Sequence, residues 1–403
     1  MSAPARQRNA FVDRFPDLET GPIPTRPYYD PAFFALERDR IFRQSWLNVG
    51  RVEELRNPGD YVVRDIAMLA TSLLLVRAVD GSVQAFHNIC THRGNKLAWQ
   101  HNGHAQGFAC SFHGWTFDTF GNLVHVPDED QFYALDKSCN GLVHLQTAVW
   151  EGFIFVTFAA EPPQSLEEFL AEMALDLKGY PFGKFTTCFR YTGEVRANWK
   201  VFMDAFQEGY HVSYLHKRSV AAAFSGTDGP GMRLTPEGVF LFDQHRRITG
   251  GWGNPDYQPT PTERLAHRFG GVLNELTEAQ QLPEGVNTTR DPRWIMDINI
   301  LFPNFELLLS NNWFLSYNFW PLSENQTMYE VRMYYPPAVN AAQRFTQEFN
   351  RAKTRDALLE DLSTLEAIQE MIESGALESF HFGAQEILPR HAYHVVERAV
   401  NSD

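Results

Sequence analysis

Short apolar runs separated by turn residues follow one another along the chain from residue 46 onward. The runs that predict strands are Tyr61-Val62-Val63 and residues 72–77, 83–86 and 153–158. Turn pairs such as Asp80-Gly81 lie between them, as is typical of antiparallel strands. We therefore predict an all-β domain over residues 46–163, whose end is marked by Glu161-Pro162-Pro163.

The rest of the chain mixes two periodicities. Apolar residues at helical spacing predict helices over residues 31–44, 165–177, 199–210 and 341–375. Strand-like runs recur at residues 185–196, 295–302 and 305–310, whereas residues 221–291, rich in Gly, Pro, Thr and Asn, predict long loops. This mixture indicates an α+β fold. We expect residues 164–403 to form a second domain, the all-β domain to be its insertion, and residues 1–45 to be a helical segment packed on it.

Composition narrows the possible partners. The 403 residues carry a formal net charge of −14 without a run of Lys or Arg, which disfavours nucleic acid and anionic membranes. Residues 1–14 lack the apolar core of a signal peptide, and the longest apolar stretch, Ile66 to Val76, is too short to cross a bilayer. We therefore expect a cytoplasmic protein, in which the four cysteines are thiols or metal ligands.

Two cysteine–histidine motifs are the strongest chemical signal. Cys90-Thr91-His92 and Cys110-Ser111-Phe112-His113 are separated by residues 93–109, and a glycine closely follows each motif. Zinc accepts two cysteines and two histidines, but its sites normally combine a cysteine pair with a histidine pair. Here each loop supplies one of each, so one iron can take both thiolates and the other both imidazoles. That is the Rieske arrangement, and it predicts a [2Fe–2S] cluster on Cys90, His92, Cys110 and His113.

A second metal site is predicted downstream. Asp204, Glu208 and His211 are spaced by four and three residues, so on a helix they would share one face. His216 lies further round, and the backbone would have to loosen near residues 212–213 for both rings to reach one ion. Two imidazoles and one carboxylate form the facial triad of Fe(II) oxygenases. The residues alone leave the carboxylate open between Asp204, Glu208 and the remote Asp361, and both histidines could instead be ordinary core or surface residues.

Other classes of protein are compatible with the first motif alone. A Rieske-type electron carrier would need only the first third of the chain, whereas some 240 residues lie beyond it. A zinc-stabilised interaction or sensing protein would hold zinc at the cysteine and histidine motifs. Iron and sulfide content separate both from an oxygenase.

These motifs together resemble the α subunit of Rieske non-haem iron oxygenases, which include ring-hydroxylating dioxygenases and related monooxygenases and demethylases. The resemblance covers nearly the whole chain. It rests on residues 46–51, Cys90-Thr91-His92-Arg93-Gly94, Cys110-Ser111-Phe112-His113-Gly114-Trp115, Asn198-Trp199-Lys200 and the pair His211 and His216. It implies a catalytic domain of the helix-grip type, with a central antiparallel sheet and helices.

The resemblance also assigns residues. His211, His216 and Asp361 match the family's ligands of the mononuclear iron, and Glu208 lies where the family usually has a bridging Asp. Glu208 would link His113 of the partner subunit to His211 in a homotrimer, with a β subunit possible. Asp204 lies where relatives often carry Asn near the iron, so it has either a substrate- or proton-handling role or the ordinary polarity of a helix.

The implied activity is O₂-dependent oxidation. Electrons from NAD(P)H would arrive through a reductase, with or without a ferredoxin, and a hydrophobic aromatic or polycyclic substrate would be hydroxylated at Fe(II). The alternative substrate is a quaternary-ammonium or N-methyl compound. Residues 221–335 would line the substrate pocket. Its aromatic residues could form an apolar cavity, an aromatic cage for an amine, or simply sheet core: Phe302, Phe305, Trp313, Phe314 and Phe319.

Overall fold

The computed structural model describes residues 10–224, 234–250, 254, 256–268, 282–291 and 294–402. The chain divides into two compact units. One, which we call the insert, runs from Arg38 to Phe169, and the other, which we call the main unit, consists of the residues up to Glu37 and from Leu170 onward. The N-terminal part of the main unit includes strand β1 (Ile23–Pro24) and helix α1 (Pro31–Leu36), which π-helical hydrogen bonding continues over Glu37–Phe42.

The insert is built from short antiparallel strands, as the alternating pattern predicts. Its strands are β2 (Leu47–Arg51), β3 (Asp60–Ile66), β4 (Thr71–Arg77), β5 (Val83–His87), β6 (Asn102–His104), β7 (Gly107–Ala109), β8 (Thr116–Asp118), β9 (Leu123–His125), β10 (Gln146–Trp150) and β11 (Phe153–Thr157). They form three sheets, in the orders β5-β4-β3-β6, β7-β8-β9 and β10-β11-β2. Leu74 and Val76 on β4 and Phe86 on β5 belong to the same buried cluster as Cys90 and Cys110, so the cysteines rest on the core of this unit.

A seven-stranded antiparallel sheet forms the centre of the main unit and confirms the α+β prediction. Its strands are β12 (Thr187–Val195), β13 (Val239–Leu241), β14 (Arg246–Thr249), β15 (Asp297–Leu301), β16 (Phe305–Leu309), β17 (Phe314–Ser323) and β18 (Gln326–Tyr335). Their order is β12-β18-β17-β16-β15-β14-β13, and a short strand β19 (Ser379–Phe380) pairs with β1. Strands β15 and β16 of this sheet are buried over almost their whole length, which is why they read as continuous apolar runs.

The described helices include the one that carries Asp361, a candidate metal ligand. Besides α1, they are α2 (Leu166–Asp176), α3 (Trp199–Phe206), α4 (Val212–Leu215), α5 (Ala221–Phe224), α6 (Pro261–His267), α7 (Ala341–Glu373) and α8 (Ile387–Asn401). The long helix α7 contacts both α3 and β12. None of the described helices is both long and apolar enough to cross a bilayer.

The prediction of long loops over residues 221–291 is wrong in part. Helix α5, strands β13 and β14 and helix α6 all lie within that range, while residues 225–233 and 269–281 lie outside the described residues. Strand β14 escaped prediction because two of its four residues are Arg246 and Arg247, which are nonetheless buried. Their buried guanidinium groups are bound by Gln207 and Asp176, contacts that a local sequence pattern does not reveal.

A buried ion pair holds α1 to α3. Lys200 Nζ lies 2.6 Å from Glu37 Oε1, and Trp199 Nε1 donates to Glu37 Oε2 at 3.1 Å, with both charged side chains almost fully buried. Removing one partner leaves the other charge buried and uncompensated. We expect Lys200→Met to lower the free energy of unfolding by about 3–5 kcal/mol. Denaturant unfolding should show this loss, and the double variant Glu37→Gln/Lys200→Met should recover much of it; a single variant as stable as the native protein would contradict the expectation.

Candidate metal centres

The two cysteine loops of the insert have the same backbone construction. The N–H of Cys90 donates to the carbonyl of Asn95 at 2.8 Å, and the N–H of Cys110 donates to the carbonyl of Trp115 at 2.8 Å. In both loops the carbonyl of the cysteine accepts a 2.9 Å hydrogen bond from the glycine that follows it in the motif. Two such turns present their cysteines and histidines in equivalent ways.

The glycines are required by this geometry. Gly94 and Gly114 have φ values of 78° and 74°, in the left-handed region that side chains rarely adopt. At Gly114 a Cβ atom would also lie 3.0 Å from Pro127 Cγ. The glycine after each motif is therefore part of the loop that shapes the site.

The four candidate ligands of the cluster separate by type. Cys90 and Cys110 are buried and their thiols lie close enough to affect each other's pKa, while Asn95 Nδ2 donates to Cys110 Sγ at 3.6 Å. The rings of His92 and His113 lie with centroids 4.6 Å apart. The two thiols lie together and the two rings lie together. A two-iron cluster in which one iron binds both cysteines and the other binds both histidines requires this arrangement.

An unpartnered atom at this site fits a metal ligand. His92 Nδ1 is buried and has no hydrogen-bond partner among the described residues, and the His92 ring stacks on Trp115 at 4.7 Å. In the described part of the chain, the only three donor atoms of His, Cys, Asp or Glu that converge within 4.8 Å belong to another site. The cysteine and histidine donors are thus spread more widely than one tetrahedral zinc ion needs, and they fit a cluster better.

The segment that carries the downstream histidines is not one helix. Helix α3 ends at Phe206, and α4 starts at Val212, so Glu208 and His211 lie in the break between them. The Glu208 carboxylate accepts the backbone N–H groups of Tyr210 and His211, which replaces helical hydrogen bonding at this point. The prediction that Asp204, Glu208 and His211 share one helical face is therefore wrong, and the loosening falls before residue 212 rather than at residues 212–213.

This break brings both histidines to the middle of α7. His216 Nε2 lies 3.1 Å and His211 Nε2 lies 3.4 Å from Asp361 Oδ1, and the two Nε2 atoms are 3.2 Å apart. His216 and Asp361 are buried and His211 is half-buried. Of the three carboxylates left open by the spacing, Asp361 is the one that faces both Nε2 atoms.

Two further carboxylates orient the histidine rings. Glu208 Oε1 accepts from His211 Nδ1, and Glu360 Oε2 accepts from His216 Nδ1 at 3.0 Å. With each Nδ1 carrying the proton, both Nε2 lone pairs point toward Asp361 Oδ1, an acceptor with no hydrogen-bond partner of its own among the described residues. The two Nε2 lone pairs and the carboxylate oxygen face one another and need a cation between them, so these three ligand atoms fit Fe(II).

The electrostatics of the site favour positive charge. Burial alone would lower the pKa of His211, but the carboxyl groups of Asp361 and Glu208 outweigh it and raise this pKa to about 10. The same balance, with Asp361 and Glu360, raises the pKa of His216. The carboxyl groups around both rings therefore favour a positive charge at this site, such as a metal ion supplies.

Asp204 lies elsewhere, in a buried polar network. Its carboxyl group accepts from Tyr28 Oη at 2.8 Å and from Gln207 Nε2 at 2.8 Å, and Gln207 Oε1 accepts from Arg246 Nε. Burial raises the pKa of Asp204 to about 7. Asp204 does not line the cavity beside the histidines, and a role for it in handling substrate or protons stays a prediction.

A cavity of about 170 Å³ adjoins the three converging ligands. Its wall is mainly apolar and includes Phe206, Ile298, Leu308, Trp313, Leu315 and Tyr317. Of the aromatic residues considered from the sequence, only Trp313 lines this cavity. Phe302, Phe305, Phe314 and Phe319 are buried outside its lining, for example in the stacking of Phe314 on Tyr334, so they belong to the protein core.

Two acidic residues of the site were missed from the sequence. Glu360 precedes Asp361 and binds His216, and Glu306 lies in the cavity wall on β16. A usable signal existed for Glu306, because it is the one charged residue in the apolar run Phe305-Glu306-Leu307-Leu308-Leu309. A charge in a fully buried strand needs a reason.

Comparison with known proteins connects both units to described families. Residues 45–148 match the model of the Rieske [2Fe-2S] domain, and residues 182–402 match that of the ring hydroxylating alpha subunit (catalytic domain). The large oxygenase component of a naphthalene 1,2-dioxygenase system from Pseudomonas aeruginosa is 35% identical over 53% of this chain and 49% of its own length. The oxygenase subunit of a glycine betaine monooxygenase from Chromohalobacter salexigens is 30% identical over 72% of this chain and 62% of its own length.

Solved structures share the fold over almost the full chain. A quaternary ammonium Rieske monooxygenase in complex with gamma-butyrobetaine superposes with a TM-score of 0.72 at 20% identity, covering 96% of this chain and 98% of the other. The curated sequence alignments, in contrast, span about half to two thirds of those relatives' own length.

Proposed function

This chain belongs to the family of ring-hydroxylating oxygenase α subunits with a Rieske domain, and we propose that it oxidises an organic substrate with O₂ at a mononuclear Fe(II) site. The observation that carries the proposal is the convergence of His211, His216 and Asp361, within 3.1–3.4 Å, at the wall of an apolar cavity. When bound, the cluster supplies single electrons and Fe(II) supplies open positions for O₂.

Each ligand residue has a defined part in this proposal. Cys90, Cys110, His92 and His113 hold the [2Fe–2S] cluster, and His211, His216 and Asp361 hold the iron. Glu208 and Glu360 keep the His211 and His216 rings in the tautomer whose Nε2 can bind a metal. The apolar wall excludes water and holds the substrate beside the metal.

Glu208 is proposed to connect subunits. A carboxylate offers about four lone-pair positions. Glu208 uses three of them among the described residues, for the N–H groups of Tyr210 and His211 and for His211 Nδ1. The remaining one can accept from His113 of the partner subunit in a homotrimer. Glu is one methylene longer than the usual Asp, and that bridge would need only this one further hydrogen bond.

The cavity supports a hydrophobic substrate of modest size. A cavity of about 150 Å³ can hold benzene, so about 170 Å³ suits a single ring or a compact aliphatic body better than a polycyclic one. Aromatic hydroxylation and oxidation of a quaternary-ammonium or N-methyl compound both fit this volume, and the two relatives compared above act on one of each kind. NAD(P)H is the proposed electron source, through a separate reductase, with or without a ferredoxin, in the cytoplasm.

Metal analysis tests the proposal directly. Anaerobically purified protein should contain about three irons and about two acid-labile sulfides per chain, and its dithionite-reduced form should give the low average g value of a histidine-ligated cluster. About two irons even after incubation with Fe(II) would favour an electron carrier instead. A colourless protein with one zinc per chain would refute the oxygenase proposal.

A further inference from the structure

Among the described residues, Glu306 is a buried acid for which neither the protein nor the proposed iron site provides a partner. Its residue is 1% exposed, and neither carboxylate oxygen has a hydrogen-bond partner in the part of the chain that the structure describes. Other buried acids are satisfied: Glu37 by Lys200, Asp204 by Tyr28, and Asp297 by the N–H groups of Asn287 and Trp294. A buried carboxyl without partners destabilises a fold, so its presence calls for a binding role.

The position of Glu306 on the sheet directs it into the cavity. Side chains alternate along β16, and Glu306 and Leu308 both line the cavity wall. Glu306 is opposite Tyr317 on β17, and Leu308 is opposite Leu315 on β17 and Ile298 on β15, all of which line the same wall. The carboxyl group is therefore the polar element of an otherwise apolar patch.

Among the described residues, no cationic side chain hydrogen-bonds to this carboxyl group. Arg246 acts on it electrostatically, but its Nε donates to Gln207 and its Nη1 has no hydrogen-bond partner in the same part of the chain. Burial raises the pKa of Glu306 well above its usual range, and Arg246 offsets this only partly. Lys353 also lines the cavity, but Glu263 binds it at 2.6 Å.

We infer that Glu306 anchors the substrate through a protonated amine, so that the cavity takes a compact hydrophobic compound with an N–H-bearing cationic nitrogen. This inference deepens the proposed function and rests on it for the reaction, but not for binding. A hydrocarbon would leave both carboxylate oxygens unsatisfied, and a quaternary ammonium would supply charge without a donor. An ammonium N–H supplies both, in a charge-assisted hydrogen bond. The aromatic side chains of Phe206, Trp313 and Tyr317 line the same wall, and aromatic rings can also attract a cation.

Ligand binding separates these possibilities. Titration calorimetry on the purified protein without reductant would compare three probes with one benzyl body: N-methylbenzylamine, benzyltrimethylammonium and toluene. We expect the amine to bind most tightly. Glu306→Gln should weaken the amine roughly tenfold to hundredfold, since hydrogen bonds to charged groups contribute that much, and should leave toluene nearly unchanged. Equal amine affinity in the native protein and the variant, or equal weakening of amine and toluene, would overturn the inference.

Two controls keep the experiment interpretable. Leu308→Met changes the shape of the same wall without changing its charge, so its effects on amine and toluene should be parallel. Glu306→Leu removes a buried, unpartnered acid, so its thermal midpoint should equal or exceed that of the native protein while amine selectivity disappears. A fall of several degrees in that midpoint would mean that Glu306 has a structural partner, and would count against the anchor. Because no turnover is measured, a failure of the oxygenase proposal would appear in the iron analysis and not here.

Discussion

Replacing His216 with alanine is expected to remove the mononuclear iron and abolish substrate oxidation, while the [2Fe–2S] cluster stays in place. The variant deletes one of the three donor atoms that converge at Asp361 and leaves the cysteine loops of the insert unchanged. Iron analysis should show the loss of about one iron per chain, and the EPR signal of the reduced cluster should be unaltered. Oxidation of any substrate found for the native protein should fall at least about a hundredfold, more than when an orienting group is lost.

Glu360→Gln is expected to weaken Fe(II) binding less than His216→Ala does. Glu360 touches His216 Nδ1, the N–H of Arg218 and the hydroxyl of Ser219, and none of these is a proposed ligand atom. Loss of such an orienting carboxylate typically reduces metal affinity by about 10- to 100-fold. Fe(II) titration of both variants should therefore show a weakened site in one and no site in the other. Retention of full iron by His216→Ala would remove that residue from the ligand set.

Replacing Glu208 with glutamine is expected to reduce NAD(P)H-coupled turnover by about a hundredfold even when enough Fe(II) is supplied to keep both metal sites filled. Glu208 uses one oxygen for His211 Nδ1 and the other for backbone N–H groups. Glutamine offers one acceptor oxygen in place of two, so it cannot keep both sets of bonds and also accept from His113 of the partner subunit. Stopped-flow measurement of cluster reoxidation with O₂ and substrate directly reports electron transfer from the cluster to the iron.

The aspartate variant tests whether a carboxylate is what matters. Glu208→Asp restores the charge and the residue usual in related oxygenases, with a shorter side chain, and should recover part of the reoxidation rate. Glutamine and aspartate variants that behave alike would point to chain length and packing. Normal turnover of Glu208→Gln would exclude Glu208 from the connection between subunits.

Local patterns were sufficient for much of the architecture. The strand runs at residues 61–63, 72–77, 83–86 and 153–158 lie within or overlap β3, β4, β5 and β11, and the helix predicted over residues 341–375 is α7. The spacing of apolar residues within each of these elements is enough to predict it, because each element buries either one regular face or its whole length. The cysteine and histidine motifs are equally local, since each pair lies on a single tight loop.

Side-chain contacts that the spacing of apolar residues does not encode account for what the sequence did not reveal. The end of α3 at Phe206 depends on the Glu208 carboxylate turning back to backbone N–H groups, and helical spacing cannot show that. Glu360 reaches His216 only through tertiary packing, at a separation of 144 residues. Burial of Asp204 depends on Tyr28, 176 residues away, so a polar helical position and a buried network look alike in the sequence.

The Glu360–Asp361 dipeptide on α7 binds the histidine segment, residues 211–219, in two ways. In the proposed holoenzyme Asp361 holds that segment through the shared metal ion, whereas Glu360 binds it directly, through His216, the backbone of Arg218 and the hydroxyl of Ser219. Departure of the ion therefore removes the metal link at Asp361 and leaves the hydrogen bonds of Glu360 in place. The histidine segment stays bound to α7 when the iron site is empty. The protein can therefore lose its iron and bind it again without having to refold.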